Sequence, residues 1–297
     1  MELTVIRHKT AKEFFEGFYP EEQVGSYAYQ LERMFEQGSA VEGDYFLITE
    51  NDKPLLSLEI YRNNTRRILE KMPIVAIGIE VSNEDFTKAL TLIFDYLSED
   101  MIYGSIDKEL EIAIREDYEF YNELKNVIKG FGYKSILKAI NYTLDTKEEY
   151  SLKIEDFTSK KFIDYQIDDR YDLLSISINQ DLISNLSAEK LYIDFLEEGY
   201  QSENLWEAIF SNGKMIGYIL PVFKNGLKNS IEMIDYGLKS SDDIMHKITI
   251  NRLVEIAKNN DVEDLTININ DSDTRFVSLA KKLKLVKNYI TEKFLKV

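Results

Sequence analysis

A chain of 297 residues with 44% hydrophobic and 30% charged side chains has ordinary globular composition, and at roughly 150 residues per domain it is long enough for two domains. It contains no cysteine, which excludes disulfides, thiolate metal ligands and thiol nucleophiles. The formal charge of −17 comes from 53 acids against 36 bases spread along the whole chain, whereas binders of nucleic acid or anionic membranes need clustered Lys and Arg.

In the first half, Leu3–Lys9 reads as a strand and Ala11–Phe18 and Glu21–Gln37 as helices. Tyr45–Glu50 and Leu55–Tyr61 are β-rich runs joined at Asn51-Asp52, the pattern of a hairpin. Pro73–Val81 (PIVAIGIEV) is almost continuously apolar, as a strand covered on both faces would be. In the helix that follows, Phe86, Ala89, Leu90, Ile93, Phe94 and Leu97 recur on one face. Leu110–Arg115 reads as a strand, Tyr121, Leu124, Ile128 and Phe131 mark a helix, and Ile136–Leu144 closes the half as a strand.

The second half repeats this order. Phe162–Ile167 opens it as a strand, and Tyr171–Asn179 and Ser187–Glu198 follow as helices. Leu205–Phe210 and Met215–Phe223 form a hairpin turning at Ser211-Asn212-Gly213. Ile231–Tyr236 is a strand, and Ile250, Leu253, Val254 and Ala257 share a helical face. Leu265–Asn270 is a strand, Phe276, Leu279, Ala280 and Leu283 mark a helix, and Tyr289–Val297 ends the chain as a strand. Corresponding elements keep a nearly constant offset, the mark of a structural duplication. The expected domains are 1–146 and 152–297, with the linker in the polar stretch Thr146–Ser159.

Strand, two helices, three antiparallel strands, helix, strand, helix, strand is an α+β arrangement, each domain a mixed, mostly antiparallel sheet flanked by helices. This order resembles the GNAT superfamily of N-acetyltransferases. The resemblance is sharpest over Trp206–Val297, where KMIGYILPVF, SIEMIDYGL, the Asp242–Asn260 helix, DLTININ and FVSLAKKLKLVKNYI look like the family's central strands, cofactor helix and C-terminal segment. In the first half, FGYKSI resembles the family's Gly-Phe signature at Gly132-Tyr133. The resemblance implies two tandem domains that transfer an acetyl group from acetyl-CoA to an amine of a small molecule or protein, without a metal.

In that family acyl-CoA lies between two splayed central strands. Its pyrophosphate rests on the N-terminus of the next helix, where free N–H groups and glycines receive it. Carried over to the second half, this implies acetyl-CoA contacts at Ile234, Asp235, Gly237, Ser240 and Ser241. The family motif Arg/Gln-x-x-Gly-x-Gly/Ala is absent, since its arginine falls at Ser241 and its glycines at Ile244 and His246. Ser82 with Asp85, and Ser240 with Asp243, read instead as helix caps, and Glu84, Asp85, Asp242 and Asp243 would repel a pyrophosphate. The family's proton-donating tyrosine falls at Ala280 and Ile128, neither of which can donate.

Tyr236 and Tyr289 are then the nearest alternative acids, although each reads more readily as a strand residue packed against its neighbours. Glu232 and Asp235 are candidate bases on opposite faces of a regular strand, and Glu232 with Tyr236 is the chosen catalytic pair. Gly237 suits a bulge that splays this strand, so the second half is expected to keep a more open slot than Pro73–Val81 against Leu110–Arg115.

Two functions remain open: an acyltransferase, or a non-catalytic tandem binding or interaction module that has lost acetyl-CoA. The negative charge would attract an amine-bearing partner and argues against charged tRNA as a donor, and it also serves solubility. His8 and His246 lack close-spaced co-ligands, so no metal site is expected. Arg62, Arg66 and Arg67 form the one dense basic cluster, suited to a phosphate or carboxylate or to a solvated loop. The start MELTVIR has no signal-peptide pattern and no run of about 18 apolar residues exists. A cytoplasmic protein without membrane or nucleic-acid partners is therefore expected, with homo-oligomers compatible.

Overall fold

Two hairpins turn on consecutive residues with left-handed backbone, which matches the twist of the strands they join. They are Asn51 (φ 50) with Asp52 (φ 61), and Asn212 (φ 50) with Gly213 (φ 72). Around them, a computed structural model describes residues 1–62, 67–102, 110–147, 150, 157–180, 188–198, 202–224, 228–239 and 243–296. The chain divides into two compact units, Met1–Ile136 with Glu292–Val297, and Leu137–Thr291.

The first unit contains β1 (Glu2–Val5), α1 (Ala11–Phe15), α2 (Glu21–Glu36), β2 (Tyr45–Glu50) and β3 (Lys53–Glu59). Next come β4 (Tyr61–Arg62), β5 (Arg67–Leu69), β6 (Ile74–Val75), α3 (Asn83–Ile102), β7 (Leu110–Arg115) and α4 (Tyr121–Gly130). One sheet has the order β1-β2-β3-β6, all antiparallel. In the other, β5 lies between β4 and β7 and pairs in parallel with β7 from Arg67↔Leu110 to Leu69↔Ile112. The α3 stripe Phe86, Ala89, Leu90, Ile93, Phe94 and Leu97 is buried against these strands, as its spacing requires.

Pro73–Val81 is not the central strand its composition suggests. Only Ile74–Val75 pairs, and it pairs with β3. Gly78 takes φ +73, and Ile77 is 64% exposed. The central position falls to Arg67–Leu69, whose leading arginine is neutralised by a buried carboxylate described below.

Two strands carry the division between the units. β8 (Tyr133–Leu144) begins in the first and ends in the second, and β14 (Val286–Lys296) does the reverse. The dividing points fall inside these strands and not in the polar stretch 146–159, because the strand that ends each half of the sequence continues into the other unit. Phe294 is accordingly part of the first unit's core, and Lys293 meets Glu111 there at 3.0 Å.

The second unit has β9 (Phe157–Lys161), α5 (Ile167–Gln180), α6 (Ala188–Glu198), β10 (Glu207–Ser211), β11 (Lys214–Phe223) and β12 (Ser230–Leu238). It ends with α7 (Asp243–Asn259), β13 (Asp264–Asn270) and α8 (Thr274–Lys282). Its strands follow the order β8-β13-β12-β11-β10-β9. The opening strand is Phe157–Lys161 and not Phe162–Ile167, because Phe162 starts a single 3-10 turn and is wholly buried. α7 and α8 cover one face, with Met245, Ile248, Leu253 and Phe276 packed on Ile231, Met233 and Ile267. α5 and α6 cover the other, with Leu174, Tyr192 and Phe195 packed on Trp206, Tyr218 and Leu220.

Candidate active site in the second unit

β12 and β13 pair in parallel from Ser230↔Asp264 to Met233↔Ile267, and that ladder then ends. β13 continues to Asn270 beside β8, and β12 to Leu238 beside β11. The two strands therefore part at their carboxyl ends, the place where parallel strands commonly receive ligands.

Along β11 the register slips, with Leu220 opposite Asp235 but Pro221 opposite Met233. Ile234 is the extra residue of a bulge. Val222 lies opposite Glu232, and Leu220 and Val222 share a face of β11, so Asp235 and Glu232 share a face as well. The expectation of opposite faces assumed a regular strand, and the bulge at Ile234, not at Gly237, overturns it.

On the α5–α6 face, half-buried Glu232 accepts from Asn268 Nδ2 at 2.8 Å. Asn268 Oδ1 accepts from Asn141 Nδ2 at 2.8 Å, and Asn141 Oδ1 accepts from Asn288 Nδ2 at 2.7 Å. A carboxylate can only accept, so Glu232 fixes the orientation of all three amides in turn. Directly opposite Glu232 in register stands Thr266, whose buried hydroxyl has no hydrogen-bond partner. Asp235 accepts from Tyr218 OH at 2.7 Å, and Ile234 packs in the same cluster as Tyr218. Gly237 leaves the space that the Tyr218 ring fills.

On the α7–α8 face, Tyr236 packs edge-on against Phe276, with ring centroids 5.4 Å apart. His246, in the first turn of α7, stacks on the same ring at 4.4 Å and 14°. Its Nε2 lies 2.9 Å from Asp273 Oδ2, while Oδ1 of Asp273 caps α8 by accepting from Phe276 N. His246 is 0% exposed, and its Nδ1 has no partner.

The bulge thus separates the chosen pair, placing Glu232 and Tyr236 on opposite faces. Ser240, Ser241 and Asp242 lie outside the described residues. Ala280 is buried in the core, as is Ile128 in the first unit. Among the described residues no group of three His, Asp or Glu side chains is placed to hold a metal ion. Sequence reasoning missed Asn268, Asn141, Asn288 and the His246–Asp273 pair. The alternating polar positions of LTININ were the one local signal, since the other partners are distant in sequence.

Unlike β12, which runs on past its last β13 pair, β5 itself ends where the parallel ladder of the first unit ends, at Leu69↔Ile112. There the first turn of α3 carries Phe86, stacked on Phe120 at 4.1 Å and 12°, and Tyr118 OH donates to Pro73 O at 2.8 Å. Ser82 caps α3 by accepting from Asp85 N at 3.1 Å, as its spacing predicts. Asp44 accepts from Arg67 Nε and from Arg62 Nε, each at 2.8 Å. Arg66 lies outside the described residues.

No family model matches the chain, and no curated protein matches its sequence. Among solved structures, a GCN5-related N-acetyltransferase from Sphaerobacter thermophilus is similar with a TM-score of 0.63. It shares 11% identity, over 99% of this chain and 95% of that one. A tandem GNAT protein from the clavulanic acid biosynthesis pathway is similar at TM-score 0.54 and 8% identity, over 99% of this chain and 97% of that one. A functionally unknown conserved protein from Staphylococcus epidermidis is similar at TM-score 0.52 and 12% identity, covering 86% and 95%. At these identities the likeness is one of fold, and the chain has the GNAT fold in tandem.

Proposed function

We propose that the second unit transfers an acyl group, acetyl in the simplest case, from an acyl-CoA to an amine of a small molecule or protein. The observation that carries this reading is the parting of β12 from β13 after Met233↔Ile267. A thioester arm needs a gap of this kind, and Ile234, Asp235 and Gly237 lie on β12 beyond the last β13 pair. Glu232, anchored by Asn268, is the carboxylate we assign to receive the proton of the attacking amine. Tyr236 packs against Phe276 on the other face, which removes it from that step. The formal charge of −17 favours the approach of a cationic amine.

Titration calorimetry of the whole chain with acetyl-CoA and CoA tests the reading, with saturable binding at micromolar concentration expected. Absence of binding would sink it. With binding established, Glu232→Gln should abolish transfer to an amine panel while leaving acetyl-CoA affinity unchanged.

A second reading, a non-catalytic tandem binding module, is favoured by one observation. The positions where this fold's phosphate motif has glycines carry Ile244, 60% exposed, and the buried His246. Side chains there hinder close approach of a phosphate to the backbone.

A further inference from the structure

Buried polar atoms are almost always hydrogen-bonded, and an orphan costs stability unless something absent from the bare chain satisfies it. His246 Nδ1 is such an orphan, in a ring that is 0% exposed. The position is informative because the first unit shows what packing alone selects there. Phe86, in the first turn of α3, stacks on Phe120 at 4.1 Å and 12°. His246, in the first turn of α7, stacks on Phe276 at 4.4 Å and 14°. A phenyl ring suffices for the stack, yet the second unit places an imidazole there.

The chemistry of the ring follows from its one partner. The Asp273 carboxylate, 2.9 Å from Nε2, can only accept, so Nε2 carries a hydrogen, and in the imidazole form Nδ1 is then a bare acceptor. Asp273 is itself held in place as the cap of α8. The pair joins the first turn of the helix after β12 to the start of the helix after β13. These are the helices that leave the carboxyl ends of the two strands that part.

We propose that His246 is a ligand-binding residue of the second unit, its Nδ1 accepting a hydrogen bond from an N–H donor of the molecule lodged between β12 and β13. The inference rests on the acyl-CoA reading of that slot, and the donor is then an amide N–H of the pantetheine arm. Asp273 is a positioning residue, which fixes the tautomer and the ring plane.

The chain has only two histidines, so nitrogen-15 spectra of histidine-labelled protein, with His8→Gln to assign the signals, resolve each ring. Adding CoA to the whole chain should move the His246 Nδ1 resonance towards lower frequency, as for an acceptor nitrogen gaining a hydrogen bond, and leave Nε2 in place. His246→Phe copies the first unit's own stack. It should keep or raise Tm while lowering CoA affinity about tenfold, the size of one lost neutral hydrogen bond. An Nδ1 resonance that stays put at saturating CoA, or unchanged affinity in His246→Phe, overturns the proposal and leaves the acyl-CoA reading intact. Failure of the unaltered chain to bind CoA overturns both.

Discussion

The ring of Tyr218 fills the space that a β-carbon on Gly237 would need: such a carbon would lie 2.3 Å from Cε1 and 2.7 Å from Cζ. The two residues face each other across β11 and β12, and the hydroxyl at the end of the ring donates to Asp235 at 2.7 Å. The ring is 0% exposed and hemmed in by Phe162, so it has little room to retreat. Gly237→Ala should therefore cost about 2 to 3 kcal/mol through overpacking. Tyr218→Phe, which keeps the ring and loses only the hydroxyl, should cost about 1 kcal/mol. Urea titration followed by Trp206 fluorescence checks both, and an alanine variant within about 0.5 kcal/mol of the parent would contradict this account.

The asparagine ladder yields a ranked prediction. Asn141 is 1% exposed and bonded on both sides, to Asn268 and to Asn288. Asn141→Leu leaves Asn268 Oδ1 without its donor, while Asn288 Nδ2 keeps Thr143 Oγ1 at 2.9 Å, and should cost about 2 kcal/mol. Asn288 is exposed, so water can replace it, and Asn288→Leu should cost under about 1 kcal/mol. Glu232→Gln still offers Asn268 a carbonyl oxygen and should melt close to the parent. Equal losses for Asn141→Leu and Asn288→Leu would show that the ladder is not read correctly.

Much of the fold could be read from residue order because the signals are local. Asn51-Asp52 and Asn212-Gly213 accept left-handed backbone, and the Phe86–Leu97 stripe repeats at helical spacing. The misreadings arise where distant residues decide. Pro73–Val81 is apolar enough for a central strand, but the place goes to Arg67–Leu69 because Asp44 receives the arginine. Glu232 was legible as an acid on a strand beside a slot. Its face relative to Asp235 was not, since a bulge depends on the register of β11. His246 gave no local sign, because its partner Asp273 lies beyond the next strand.

Glu292 gives the pH prediction. It is 2% exposed, which alone would push its carboxyl up. Hydrogen bonds from Lys125 (2.6 Å), Ser135 and Tyr121 outweigh burial and hold it down at about 2, against an ordinary 4.5. A folded-state value below the unfolded one adds stability that is complete above about pH 4.5 and is lost as pH falls towards 2. A shift of this size corresponds to about 3 kcal/mol. The stability gap between the parent and Glu292→Gln should be widest near pH 6 and should narrow steadily between pH 4.5 and pH 2. A gap that stays constant on acidification would refute the assignment.

The last prediction concerns the arginine that opens β5. Arg67 is 1% exposed, and the partner of its guanidinium is Asp44, also 1% exposed, with Nε and NH2 both on Oδ1 and NH2 also on Gly43 O. Arg62 holds the same carboxylate at 2.8 Å and 3.2 Å, but its side chain is 21% exposed and water can solvate it. Removing the carboxylate would leave a buried guanidinium uncompensated, which costs about 3 to 5 kcal/mol. Asp44→Ala should therefore be the most damaging change in the cluster, and Arg62→Ala should cost only about 1 kcal/mol. Two units need not unfold together, so a single global midpoint is a poor readout. Amide hydrogen exchange at Ile68 and Leu69, which pair with Glu111 and Ile112, reports on this strand directly. Asp44→Ala should speed exchange there far more than at Leu265 and Ile267 in the second unit. Equal acceleration in both places, or none in β5, would mean that Asp44 is not what keeps this arginine inside.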